Sequence, residues 1–101
     1  MTVQFAKAGQ LSILGTVIHT GATTGALSFV KQLKFNNPLA YVLTLEIYKA
    51  DTATTTVLYT LNLAAGDIVT DDLSYGLEIG DQLIATSSIG GTNYYATGAD
   101  Y

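Results

Sequence analysis

Along most of the chain, apolar residues recur at every second position, in short runs broken by Gly, Asn, Asp, Ser and Thr. A period of two sends successive side chains to opposite faces of an extended strand, so this pattern predicts β-structure. The cleanest case is residues 39–50 (LAYVLTLEIYKA). Tyr41, Leu43, Leu45 and Ile47 fall on one face, and Val42, Thr44, Glu46 and Tyr48 on the other. This reads as a central strand. After a turn at residues 51–55 (DTATT) the alternation resumes, with Val57, Tyr59, Leu61 and Leu63 expected inward, so the two runs predict a hairpin. Residues 26–35 (ALSFVKQLKF) have Leu27, Phe29, Leu33 and Phe35 on one parity and read as another strand. Lys31 shares that parity, which requires either a bulge or a lysine whose stem snorkels to water.

Residues 61–86 (LNLAAGDIVTDDLSYGLEIGDQLIAT) contain one phrase twice: Ala65-Gly66-Asp67-Ile68-Val69 and Ile79-Gly80-Asp81-Gln82-Leu83. Gly reaches positive φ without a Cβ penalty, and Asp bonds the backbone just ahead of it, so each phrase predicts a turn into a strand. The expectation is short strands running up and down. Leu73, Tyr75, Leu77 and Ile79 share one parity after a break at residues 70–72. Turns are also predicted at residues 20–25 (TGATTG), at Asn36-Asn37-Pro38 and at Gly90-Gly91, the last as a hairpin signal. Residues 11–20 (LSILGTVIHT) read as a strand in which Gly15 marks a bulge or a close approach. Tyr95, Thr97, Ala99 and Tyr101 share a face of a closing strand. The sum is seven or eight short strands and no significant helix. That is an all-β class, a single antiparallel β-sandwich of jelly-roll or Greek-key type over residues 11–101, preceded by a strand or arm at residues 1–10. The arm carries Val3 and Phe5. The cysteine pair and core tryptophan of immunoglobulin domains are missing.

Composition narrows the function. Only 12% of the 101 residues are charged, about half the share of an ordinary soluble domain, while 49% are hydrophobic. A surface this poor in charge predicts extensive protein contact, hence a homo-oligomer or a larger assembly. With no cysteine there is no disulfide, thiolate nucleophile or zinc–thiolate site. A net charge of −4 argues against nucleic acid as the principal partner. No apolar run is long enough to cross a membrane as a helix, and residues 1–10 lack the basic start and apolar centre of a signal peptide. All four lysines (Lys7, Lys31, Lys34, Lys49) precede Asp51 and Glu46 is the sole acid there, so the two halves carry +3 and −7. If the acidic half supplies a contact, salt weakens it. The alternative is that the two halves interleave in one sandwich.

No residue set resembles catalytic machinery, and none calls for a cofactor. His19 is the only histidine, and it reads as a half-exposed strand residue. Asp67, Asp71, Asp72, Glu78 and Asp81 match no calcium-loop spacing and read as solvated turns. Seven of the aromatics are tyrosines, with Tyr94, Tyr95 and Tyr101 crowded at the C-terminal end. Tyrosine combines apolar area with a hydroxyl, which suits cross-strand packing, a protein interface or, with Asn93 as polar partner, a sugar. The candidate interface residues are Tyr94, Tyr95, Tyr101, Val3 and Phe5.

Several segments together resemble a small β-sandwich of tailed-bacteriophage virion proteins. These are the hairpin AYVLTLEIYKAD…TTVLYTLNL, the AAGD turn, DDLSYGLEIGDQLIATSS and the closing GGTNYYATGADY, with Thr97-Gly98-Ala99-Asp100-Tyr101 at its end. TVIHT…ALSFVKQLKFNN fits the same plan, so the resemblance runs from Leu11 nearly to the end. Lys31 and a TGATTG loop without proline depart from it. The resemblance implies a non-enzymatic virion protein assembled in the host cytoplasm. Its expected role is capsid decoration by binding the major capsid protein or other virion proteins, with a tail, fibre or receptor-binding module as the alternative. A short chain suits a decoration protein better than a fibre with a long shaft.

Overall fold

The computed structural model describes residues 2–22 and 27–101, so part of the loop expected at residues 20–25 lies outside the described residues. The chain forms nine strands in the order β1 (Val3–Gln10), β2 (Thr16–Thr20), β3 (Ser28–Asn36), β4 (Tyr41–Lys49), β5 (Thr54–Leu63), β6 (Ile68–Asp71), β7 (Tyr75–Leu77), β8 (Gln82–Ser87) and β9 (Asn93–Asp100). Sheet A has the order β1-β9-β3-β6, with β7 pairing β3 beyond β6, and sheet B has the order β2-β8-β4-β5. All pairs are antiparallel and nested: β1 with β9, β2 with β8, β3 with β6 and β7, β4 with β5. Successive nested pairs fall in alternate sheets, as if one long hairpin had been rolled around the core. That is the jelly-roll arrangement.

The core lies between the inner faces. Ile18, Val30, Leu33, Phe35, Leu43, Leu45, Leu77 and Leu83 are essentially solvent-free, as are Ala85 and Ala96. Each large side chain removed from water contributes about 1.5–3 kcal/mol. The β4–β5 hairpin forms as the alternation predicts, and β4 is central, flanked by β5 and β8.

The twin Gly-Asp phrases do form turns, but they are corners and not links between neighbouring strands. The first carries the chain from β5 in sheet B to β6 in sheet A, and the second returns it from β7 to β8. Their bonding is the same. The Asp67 carboxylate accepts the Ala64 N–H (3.1 Å) and that of Asp81 accepts the Glu78 N–H (3.0 Å). Each Asp N–H also donates to the carbonyl three residues earlier, and Gly66 and Gly80 sit at φ 82° and 84°. A type II turn needs that positive φ at its third residue. Gly90-Gly91 likewise lies in a crossing, from β8 to β9, and not in a hairpin.

Bulges correct the parity readings. Lys31 is the extra residue where β3 slips against β9, so Ser28 and Val30 point inward before it and Leu33 and Phe35 after it. Leu27 and Phe29 therefore leave the core face. Leu58 is the extra residue of β5, which puts Val57 outside, 56% exposed. Leu73 and Ile79, expected on the parity of Tyr75 and Leu77, are exposed loop residues. Gly15 precedes β2, and the bulge falls at Ile18 instead, between Val17 and His19.

The charged halves interleave, since each sheet draws strands from both.

Candidate interaction surfaces

Two clusters hold the sheets together along the long sides of the sandwich. On the β1/β2 side the Ile18 bulge turns two consecutive residues inward, so His19 is 6% exposed and not half-exposed as its sequence position suggested. Its Nδ1 lies 2.7 Å from Lys7 Nζ, and its Nε2 lies 2.9 Å from Asp100 Oδ1. An ammonium only donates, so Nδ1 is the acceptor and the Nε2–H donates to Asp100. Phe5 stacks on the ring with centroids 3.9 Å apart. Both ring nitrogens and one ring face are occupied, which leaves His19 no free nitrogen to exchange a proton with a substrate.

On the β5/β6 side, Asp71 is buried at the end of β6. Its Oδ2 accepts the hydroxyls of Tyr59 from β5 and Tyr75 from β7, both at 2.6 Å, and its Oδ1 accepts the Leu73 N–H at 3.0 Å. Burial first, and then the Asp71 carboxylate, push both tyrosine hydroxyls well above their ordinary range.

Asp67 and Asp81 are also bonded internally. Asp81 is 1% exposed and accepts Lys49 Nζ at 2.6 Å and the Ala50 N–H at 2.9 Å in addition to its turn bond. Burial alone would raise its carboxyl, but these bonds outweigh burial and hold it below the usual range. Among the described residues, no three His, Cys, Asp or Glu side chains gather as a metal site.

The five candidate interface residues do not share one environment. Tyr95 and Tyr101 are exposed on the outer face of sheet A, and Val3 is exposed near the start of β1. Phe5 and Tyr94 are half-buried and pack against the core. The Tyr101 hydroxyl accepts Lys31 Nζ at 2.6 Å, and its ring meets Phe29 edge-on at 5.7 Å. Tyr95 stands at a shallow groove of about 330 Å³ lined also by Lys34, Asn36, Ile68, Thr70 and Asn93.

The sequence reading passed over the outer face of sheet B. The registers put Val42, Thr44, Glu46 and Tyr48 of β4 beside Ile84 and Thr86 of β8 and Val57, Thr60 and Asn62 of β5. Among the described residues of these strands, Glu46 is the only carboxylate or ammonium on that face. The signal was visible as the second parity of residues 39–50, which is as β-branched and as uncharged as the core parity. Only the strand order shows that four such parities lie side by side.

No family model and no curated protein matches the sequence. Among solved structures, the fold is similar to a protein of Bacillus endospore appendages, described as a novel family of disulfide-linked pili. The TM-score is 0.62 at 12% identity, over 98% of this chain and 84% of that one. A pentameric capsid protein from metagenomic phage sequences aligns with TM-score 0.49 at 21% identity, over 96% of this chain and 59% of that one. The Drosophila NLP core, a pentamer that binds histones, aligns with TM-score 0.48 at 11% identity, over 97% and 96%. At these identities the likeness extends to the fold alone. This chain has no cysteine and so has no means of forming disulfide links.

Proposed function

We propose that this chain is a structural protein of a tailed-bacteriophage virion that binds the assembled capsid through the outer face of sheet B and stabilises it. The observation that carries the reading is that face: a four-stranded surface of Val, Ile, Thr and Tyr side chains with Glu46 as its one charge. Burying it against a protein surface removes apolar area from water and desolvates a single carboxylate, which is the composition of an interface core. The sequence resemblance supplies the virion and the capsid.

The placement test is electron cryomicroscopy of particles carrying the chain. Density is expected on the capsid surface with sheet B facing the shell; density confined to the tail defeats the capsid assignment. A variant with Thr44→Lys and Ile84→Glu should keep the β-sheet circular-dichroism signal and lose attachment.

A second reading has its own observation, the groove at Tyr95 with Lys34, Asn36, Thr70 and Asn93. An exposed aromatic ring among amide and hydroxyl groups suits a sugar, and only Tyr95 offers a free ring there, because Tyr94 packs against the core. A glycan array without hits, with adsorption unchanged by Tyr95→Ala, removes this reading.

A further inference from the structure

A jelly roll leaves four edges open, and here they are not alike. β1 carries Lys7, β2 has five residues and a register shift, and the β6/β7 edge is two short pieces separated by a loop. β5 has ten residues (TTTVLYTLNL) and no carboxylate, ammonium, histidine or proline. Proteins usually blunt a long edge with lysine, proline or shortness, because unpaired N–H and C=O groups recruit another strand. The sequence of β5 uses none of these. It is rich in β-branched residues that hold an extended backbone. Beside it lies an open, mainly apolar groove of about 490 Å³ lined by Leu61, Val69 and Leu73 together with Asp71 and Asp72, with Leu73 74% exposed.

We propose that β5 pairs antiparallel with β5 of a second copy about a two-fold axis, joining two B sheets into one eight-stranded sheet. Absence of charge favours this occupant. In a two-fold antiparallel pair the two strands are identical, so any charge on the strand enters the seam twice with no opposite charge to meet it. Among the edges, β1 would put Lys7 into the seam twice and β6 would do the same with Asp71; β5 brings together only Thr, Val, Leu, Tyr and Asn. The size also fits. The side presented by β5 measures roughly 33 Å along the strand, and the molecule's smallest extent is 19 Å. That gives ~600 Å² per partner, at the lower end of specific interfaces. The proposal rests on the assembly reading above and names its partner, since the joined sheet doubles the outer face whose one charge is Glu46.

The test uses the purified chain without capsid. Light scattering coupled to size exclusion should show a concentration-dependent dimer, and Thr60→Lys should weaken it by roughly tenfold or more by putting two like charges into a seam that has none. Because the chain has no cysteine, mixtures of single-cysteine chains report the register directly: Val57→Cys with Thr60→Cys, and Thr55→Cys with Asn62→Cys, lie opposite each other when the whole strand pairs. Each mixture should form an intermolecular disulfide on mild oxidation, while Gln4→Cys on β1 should not. A monomer at all concentrations overturns the proposal. So does an oligomer that Thr60→Lys leaves intact and that no β5 cysteine cross-links. A dimer that fails to bind capsid removes the capsid reading and leaves this one standing; a monomer that still binds capsid does the reverse.

Discussion

Asp100 and Asp71 occupy corresponding places on the two long sides of the sandwich. Each is an acid on sheet A that a side chain from sheet B reaches: His19 from β2 in one case, Tyr59 from β5 in the other. The Asp100 side uses charge, with Lys7 behind the imidazole, and its carboxylate keeps 25% of its side-chain exposure. The Asp71 side uses neutral phenols, three donors and nearly complete burial. The same task of closing two sheets is therefore done once by a screened ionic network and once by a sealed hydrogen-bonded clamp. The sealed clamp sits behind the open β5 edge, so that edge is firm inside while remaining free outside. A firm, free edge is what a docking strand requires.

The largest effect expected from breaking this pair is at Asp71. Asp71→Ala leaves two inward phenols and one N–H without their acceptor, and each unpaired group costs about 1–3 kcal/mol, so a total loss of about 3–5 kcal/mol is expected. Asp100→Ala should cost less, about 2 kcal/mol, because the Asp100 carboxylate itself is partly exposed and water can take its place beside the His19 N–H. Urea unfolding of both variants checks the order. A greater loss at Asp100 would mean that the ionic side dominates.

The two sides should also part company with pH. The Asp100 carboxyl is held below the usual Asp range by the Ser28 hydroxyl and then the His19 N–H, against the opposing push of burial. Its contribution is complete above the unfolded value of about 3.9 and is lost as pH falls through the lower folded value. The Tyr59 and Tyr75 hydroxyls are raised, so their contribution is complete below the unfolded value of about 10 and is lost as pH rises toward the folded values. Thermal melts should show Asp100→Asn flattening the acid limb of the stability profile, and Tyr59→Phe with Tyr75→Phe flattening the alkaline limb. Identical effects of the two sets on both limbs would contradict the assignment.

The difference between the sides also marks how far the sequence could be read. Residues 39–50 gave β4 correctly because a central strand with one buried face must alternate strictly. The all-β class and the antiparallel sandwich followed from many such runs, which left jelly roll and Greek key as alternatives. Neither staple was legible. Asp100 and His19 are 81 residues apart, and the Ile18 bulge that turns His19 inward leaves no trace in composition. Asp71 looked like one more acid of a solvated turn. The Lys31 bulge was anticipated only because a lysine on an apolar parity conflicts with burial. The Leu58 bulge sets no such conflict and was missed. The twin Gly-Asp phrases fixed their local turns, including the positive φ at both glycines, but a turn does not say whether the next strand pairs beside it or crosses to the other sheet. Crossing is decided by which strands remain unpaired, a property of the whole chain.

The outer surface of the firm side should tolerate change. Thr60→Lys on β5 is expected to alter the stability of the dilute chain by no more than about 0.5 kcal/mol, since Thr60 is exposed and its side chain makes no hydrogen bond. A larger loss would show that β5 is needed for the fold itself and is not a spare edge.

Salt should give the smallest effect and the sharpest separation. Asp71 is bonded by neutral donors, so the stability difference between the wild type and Asp71→Asn should be the same at low and high ionic strength. Asp100 answers to an ammonium through a half-open side, and exposed ionic contributions are screened over about 3 Å at 1 M salt, so its difference should shrink by a few tenths of a kcal/mol. The same argument applies to attachment. The acidic half of the sequence suggested a salt-sensitive contact, but the interleaved topology disperses that charge, and Asp67, Asp71, Asp81 and Asp100 are bonded internally. Binding through a face whose one charge is Glu46 should therefore persist at 1 M salt. Release by salt would move the contact from sheet B to the loops that carry Asp51, Asp72 and Glu78.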